Sequence, residues 1–253
     1  MPKTLTFRSI FSGLRLARGV VVAVTSMANS SIRDFVKSNT MMVRTGFAYA
    51  GISATPTGSF ADAGINYDYW DFTGNGSLVV SEPGLLDVLV IGGGGGRSVT
   101  GSNNGWGGGG GVRYGIFEVT AGTVTVTIGA GGSGAGGGSY GGQGTGSTFG
   151  SYLFAGGGNP GFANNSVVNA SRTPVGGGGQ PGSIKMGSGT VPGAGARGLL
   201  DGGSNDYDGI TLNYNDSSIE YGRGGGFAAA ANSGGGGDGS DATDGRVVVR
   251  VRV

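Results

Sequence analysis

Two unbroken runs of five glycines, Gly92 to Gly96 and Gly107 to Gly111, limit what this chain can fold into more than any other feature. Glycine loses more backbone freedom on ordering than any other residue and offers no side chain to pack. Five in a row stay disordered unless something collective holds them. One ordered form suits them. A polyproline II-type helix has three residues per turn, a rise of about 3.1 Å and no internal hydrogen bonds, so a five-residue run spans roughly 15 Å. Its N–H and C=O groups point sideways, and buried ones must find partners. An isolated run satisfies few of them. Several runs without Cβ atoms, packed side by side, can satisfy one another.

The first run is preceded by an aliphatic segment, Leu86 to Ile91, and the second is followed by a strand-like pattern from Val112. The unit is therefore strand, glycine run, loop, glycine run, strand, and it recurs in looser form to the C-terminus. Of the 62 glycines only nine precede position 92. Collagen has a comparable density in its repeats, but it needs glycine at every third position and abundant proline. Here the glycines cluster and there are 7 prolines in 253 residues, which excludes a collagen helix.

Strand patterns fill the rest. Leu85 to Ile91 is apolar on both faces apart from Asp87, as a buried strand is. In Tyr67 to Phe72, Trp70 and Phe72 share one face and Tyr67 and Tyr69 the other. Ile116 to Ile128 predicts a hairpin turning at Ala121-Gly122, with Val124, Val126 and Ile128 against alternating threonines. Ser147 to Ala155 predicts one further strand. Arg246 to Val253 predicts a half-buried strand with arginines on its open face. Ser9 to Arg18 and Ser31 to Lys37 carry short helical patterns. The fold class expected is all-β, with β-sandwich or jelly-roll-like strands combined with a packed bundle of polyglycine II helices. Two regions are expected: a basic N-terminal region over 1–60 and a glycine-rich body over 61–253.

The absence of cysteine and histidine excludes disulfides, thiolate nucleophiles, zinc-finger ligation and histidine-based triads. Gly129, Gly131 and Gly134 match GxGxxG, but no helix pattern follows, so the match does not predict a nucleotide site. Asp238, Asp241 and Asp244 are three apart and would line one edge of a three-per-turn helix. They read as a solvated edge rather than a calcium site, since the glycine-rich calcium repeat is not matched. A single RGG element at Arg223 is weak ground for RNA binding. Carboxylate pairs such as Asp206 and Asp208 sit in a loop with no scaffold for acid–base chemistry. The reading is no enzyme, no cofactor, no metal, no nucleic-acid partner and no membrane insertion.

Charge is uneven. Residues 1–45 hold seven basic groups against the single acid Asp34, although the whole chain carries only +1. Such a region suits docking on an acidic partner, and it equally suits a solvated surface. The apolar run Val20 to Val24 is too short for a signal-peptide core or a membrane span. The chain reads as soluble and unprocessed. The glycine-poor excursions carry aromatic residues with Asn and Asp: Arg97, Asn103, Asn104 and Trp106; Phe162, Asn164 and Asn165; Tyr207, Asp208, Tyr214 and Tyr221. On loops such residues suit binding to sugars or protein surfaces, or fold back as lids on the glycine bundle.

The segments VLVIGGGGG, GWGGGGGVRYG, VTVTIGAGG and FGSYLFAGGG resemble the glycine-rich domain of bacteriophage tail-fibre proteins, over about residues 66–253. They are similar to the adhesin at the tip of T-even-type long tail fibres, and to the glycine-rich module beside a jelly-roll-like sandwich in the anaplastic lymphoma kinase receptor. The resemblance implies a packed polyglycine II bundle and a virion protein on the phage surface, on the tail rather than the head. It implies that the joining loops meet a host cell-surface receptor, a glycan or an outer-membrane protein, through Asn103, Asn104, Trp106, Phe162, Asn164, Asn165, Tyr207, Asp208, Tyr214 and Tyr221. Attachment to other virion proteins then falls to Arg8, Arg15, Arg18, Arg33 and Lys37, in a homo-oligomer for which a trimer fits a fibre. Two alternatives stay open: a purely structural head-fibre or capsid decoration protein without a receptor, and a flexible glycine-rich linker or RNA-binding protein.

Overall fold

The computed structural model describes residues 48–100, 103–136, 139–161, 208–225, 229–237 and 241–253. The chain divides into two units, residues 1–46 and 47–253, and every described residue lies in the second. The expected helical turns at Ser9 to Arg18 and Ser31 to Lys37 lie outside the described residues, as do Arg8, Arg15, Arg18, Arg33 and Lys37. The division expected at residue 60 falls inside a strand, Gly58–Asp62, that pairs with Ile65–Phe72.

The described residues form an all-β protein with antiparallel sheets. One five-stranded sheet contains β1 (Gly51–Ile52), β4 (Gly76–Glu82), β9 (Gly122–Thr127), β10 (Ser147–Phe149) and β11 (Leu153–Ala155), in that order. The other runs β2 (Gly58–Asp62), β3 (Ile65–Phe72), β14 (Arg246–Arg252), β5 (Gly84–Ile91), β8 (Val112–Val119). Two short hairpins, β6–β7 (Ser98–Thr100 with Asn103–Gly105) and β12–β13 (Ile210–Asn213 with Ser218–Tyr221), complete it.

The two large sheets share one apolar core. Leu78, Val80, Val124, Val126 and Phe149 come from the first; Trp70, Leu86, Val88, Val90, Val247, Val249 and Val251 come from the second. Strand alternation explains the set, because residues two apart point to the same face. The alternate residues of β5 and β14, Leu89, Ile91 and Val248, build a second cluster on the outer face with Tyr214 and Tyr221 of the β12–β13 hairpin. Strand β5 is thus buried on both faces, as its composition predicts.

Three expectations are corrected here. Strands β8 and β9 are not a hairpin: β8 pairs with β5 in one sheet and β9 with β4 in the other, so Thr120 and Ala121 carry the chain across the core. Gly122, at φ 143°, takes the corner in a conformation that side chains rarely adopt. The single strand expected over Ser147 to Ala155 is a pair, β10 and β11, turning at Gly150 with φ 52°. Strand β14 is central, between β3 and β5, and its arginine face is covered at Arg246 and Arg250 and open at Arg252.

Every large strand near the glycine segments enters or leaves them at one end of the sheets. Ile91 leads into Gly92, and Gly111 into Val112; Ala155 leads into Gly156, and Gly245 into Arg246. At the opposite end, residues 48–50 lie beside the start of β5, with Leu85 N–H donating to the Ala48 carbonyl and Ala50 N–H to that of Leu85, both at 3.0 Å.

Candidate functional site

The glycine segments project from that end and carry the loops that the sequence singles out. The segment Gly92–Arg97 lies in their midst. Gly92 and Gly95 donate to the carbonyls of Gly111 and Gly108, while Gly93 and Gly96 donate to Thr145 and Gly142. Gly94 donates to Thr243. In the other direction Gly93 and Gly96 accept from Gly158 and Gly161, Gly94 and Arg97 accept from Gly132 and Ala135, and Gly95 accepts from Gly237. All ten bonds measure 2.8–3.0 Å. A given neighbour is met again three residues later, and successive residues turn to different neighbours. None of these glycines has room for a side chain. A Cβ on Gly92, Gly93, Gly94, Gly95 or Gly96 would collide with a backbone carbonyl of an adjoining segment.

Peripheral segments follow the same period with side chains on the open edge. Ala130, Ser133 and Gln143 are exposed between buried or half-buried glycines, and Tyr140, three before Gln143, is exposed as well. Asp241 and Asp244 are both exposed, as a solvated edge requires, and each also bonds to a neighbouring segment. Asp244 Oδ1 accepts from Gly131 N–H and Asp241 Oδ1 from Gly134 N–H, each at 2.7 Å. Two carboxylates three apart thus take up two N–H groups three apart. The GxGxxG match is this same stretch, and it serves as an edge of the packed segments with no helix after it.

At the far end the first excursion folds as the β6–β7 hairpin, with Val99 opposite Asn104 and Thr100 opposite Asn103. The Arg97 guanidinium lies 4.9 Å from the centre of the Trp106 ring, a cation–π pair. Ser98 Oγ donates to the Gly161 carbonyl and accepts from Gly141 N–H at 2.7 Å, tying three segments together at their tips. Val99 also bridges to Ser139, which places the exposed Tyr140 (52 % accessible) beside this hairpin. Gln143 Nε2 donates to Asn159 Oδ1 at 3.3 Å. Sequence reasoning misses Ser98 and Tyr140 as site residues. Tyr140 is the one aromatic residue between Gly129 and Gly146, and that isolation was the available signal.

The third excursion is placed differently. Over 208–221 it returns along the sheets and lies on their outer face. Tyr214 is 5 % exposed and Tyr221 fully buried, so these two belong to the core and not to a contact surface. Tyr214 Oη donates to Asp87 Oδ1 at 2.9 Å, and the Arg250 guanidinium stacks 4.2 Å from its ring centre. Burial first, then the neighbouring Asp87 charge, raises the Tyr214 hydroxyl well above the ordinary tyrosine range. Burial likewise pushes Tyr221 up to about 12. Arg250 Nε donates to Asp87 Oδ2 at 2.7 Å. Arg246 grips Asp71 through both Nε and Nη2, and that hydrogen bonding raises its pKa. Asp208 is half-buried at the entrance to the hairpin. Phe162, Asn164, Asn165 and Tyr207 lie outside the described residues.

A comparison of the chain with protein-family models and with curated proteins finds no match.

Proposed function

We propose that the body is a jelly-roll-like β-sandwich whose strands continue into a bundle of polyglycine II helices, and that the chain is a phage virion protein, a tail-fibre or adhesin component. The single observation that supports this most is the three-residue recurrence of hydrogen bonds around Gly92–Arg97, the period a threefold extended helix requires. In this reading the sandwich is the base and the bundle is a rigid post. The post's outer end carries Asn103, Asn104, Trp106, Arg97 and Tyr140 toward a host surface glycan or outer-membrane protein. Residues 48–50 lie at the other end of the body, beside the start of β5, and attachment to the virion falls to the basic N-terminal region. Tyr214 and Tyr221, being buried, drop out of the contact set.

Rigidity is what makes the arrangement suited to display. Loops on an ordered scaffold lose less entropy on binding than loops on a flexible tether. The reading is tested by labelling the parent particle with antibody against the body and by measuring binding of purified protein to host cells. Label at the tail tip with saturable binding, weakened by Trp106→Ala, is expected. Label on the head with no binding would overturn the adhesin reading and favour a decoration protein.

A further inference from the structure

The β12–β13 hairpin lies over an apolar strip of the second sheet formed by Leu89, Ile91 and Val248. Among the described residues no backbone–backbone hydrogen bond joins this hairpin to that sheet; it is held by side chains and by one carbonyl. The polar holds converge on two carboxylates. Asp87, on β5, accepts from Tyr214 Oη and from Arg250 Nε, and Arg250 Nη1 reaches the Asn213 carbonyl at 3.1 Å. Asp71, on β3, accepts from both Arg246 nitrogens and from Asn215 Nδ2 at 2.9 Å. The docked hairpin also buries two polar atoms, Tyr221 Oη and Asn215 Oδ1, that have no partner among the described residues. Water would satisfy both if the hairpin lifted, which offsets part of the cost of wetting the apolar strip.

We propose that the β12–β13 hairpin is an acid-releasable clasp over the outer face of the second sheet, locked by Asp71 and Asp87. Protonating the two carboxyls weakens four side-chain links at once, because a neutral acid is a poorer acceptor for a guanidinium than a carboxylate. It also leaves Arg246 and Arg250 as half-buried charges without counter-ions, and lifting the hairpin returns them to water. Other ionisable groups around the pair are Tyr67 and Tyr69 on β3, Tyr114 on β8, and Tyr214 and Tyr221 on the hairpin, with Glu220 engaged by Gly209 N–H and Arg223. Asp71 and Asp87 are the carboxylates that hold the arginines and the hairpin side chains to the sheet, whereas Glu220 bonds to Gly209 and Arg223 beside the hairpin itself. The sheets keep their own backbone ladders and the shared core throughout. The outcome is local opening that exposes Leu89, Ile91 and Val248.

Hydrogen–deuterium exchange of the full chain, followed from neutral to acid pH and corrected for the intrinsic exchange rate, tests this. Protection at 210–213 and 218–221 is expected to fall in acid by roughly tenfold to a hundredfold or more, a hundredfold being about the size of one hydrogen bond to a charged group, while β5 and β14 stay protected. The double variant Asp71→Asn/Asp87→Asn is expected to show that opening already at neutral pH. Should that variant not fold, Tyr214→Phe removes one hold on Asp87 and leaves both arginine pairs; it is expected to raise hairpin exchange about tenfold at neutral pH. Hairpin protection that survives acid, or is lost only together with β5 and β14, would overturn the clasp.

Discussion

Replacing Gly95 by alanine gives the sharpest perturbation of the glycine segments. A Cβ there would meet the Asn159 carbonyl far inside the 3.0 Å that real Cβ atoms essentially never cross. The obstacle is backbone, so no rotamer relieves it. Gly95 N–H donates to Gly108 at 2.8 Å, its carbonyl accepts from Gly237 at 2.8 Å, and Gly108 N–H donates to Asn159 at 2.9 Å. Parting the segments by about 1 Å carries all three past the hydrogen-bonding range. At about 1 kcal/mol each they amount to about 3 kcal/mol. Overpacking strain adds about 1–3 kcal/mol, and the smaller entropy of the unfolded alanine chain returns about 0.4–1 kcal/mol. A net loss of about 3–5 kcal/mol is expected, a fall in Tm of roughly 10 °C for a body of this size. Urea unfolding of Gly95→Ala beside Gly74→Ala measures it. A Cβ on Gly74 meets nothing within 4 Å, so that variant is expected within about 0.5 kcal/mol of the parent. Equal stability of the two variants would refute the reasoning.

Three further outcomes are expected. Leu86→Ala, at a fully buried position shared by both sheets, is expected to cost about 2–5 kcal/mol in urea unfolding. Asp244→Ala removes the acceptor of Gly131 N–H and is expected to cost about 1–3 kcal/mol, with faster exchange confined to the edge segment from Gly129. Tyr221 is pushed up to about 12 in the folded chain against 10.0 otherwise. Its neutral form is the one the fold holds, so its contribution is intact below pH 10 and is lost as pH rises toward 12. About 2–3 kcal/mol of alkaline destabilisation should disappear in Tyr221→Phe, as read from Tm against pH.

Much of the architecture was legible in the residues. Leu85 to Ile91 reads as buried because both of its faces are apolar, and the C-terminal valines read as one face of a strand. Asp87 and Asp71 interrupt apolar or aromatic strands, and the arginines of β14 are their partners. Pairing that crosses from residue 87 to residue 250 depends on strand order, which alternation does not encode, so the arginine face looked like a solvent face. The β8–β9 link failed for a similar reason. A short Thr-Ala connection serves a hairpin and a crossing between sheets equally well, and which one forms depends on where β4 and β5 lie.

The candidate site was legible by thirds. Pure glycine in Gly92–Gly96 marks the segment surrounded on all sides, while side chains at every third position, as at Ala130 and Ser133, mark the periphery. The first excursion stands at the far end of the segments, as its polar, aromatic composition suggests. Tyr214 and Tyr221 misled, because a tyrosine beside Asn and Asp looks the same on a displayed loop as on a hairpin pressed against an apolar sheet. What separates the cases is the counterpart surface of Leu89, Ile91 and Val248, over a hundred positions away for Leu89 and Ile91.

Scalar couplings across hydrogen bonds, measured by NMR on deuterated protein, test the mutual bonding of the glycine segments most directly. Correlations from Gly95 N to the Gly108 carbonyl, from Gly96 N to Gly142 and from Gly94 N to Thr243 are expected at strengths comparable with those between β5 and β14. Clear β5–β14 correlations with none among the glycines would contradict the account.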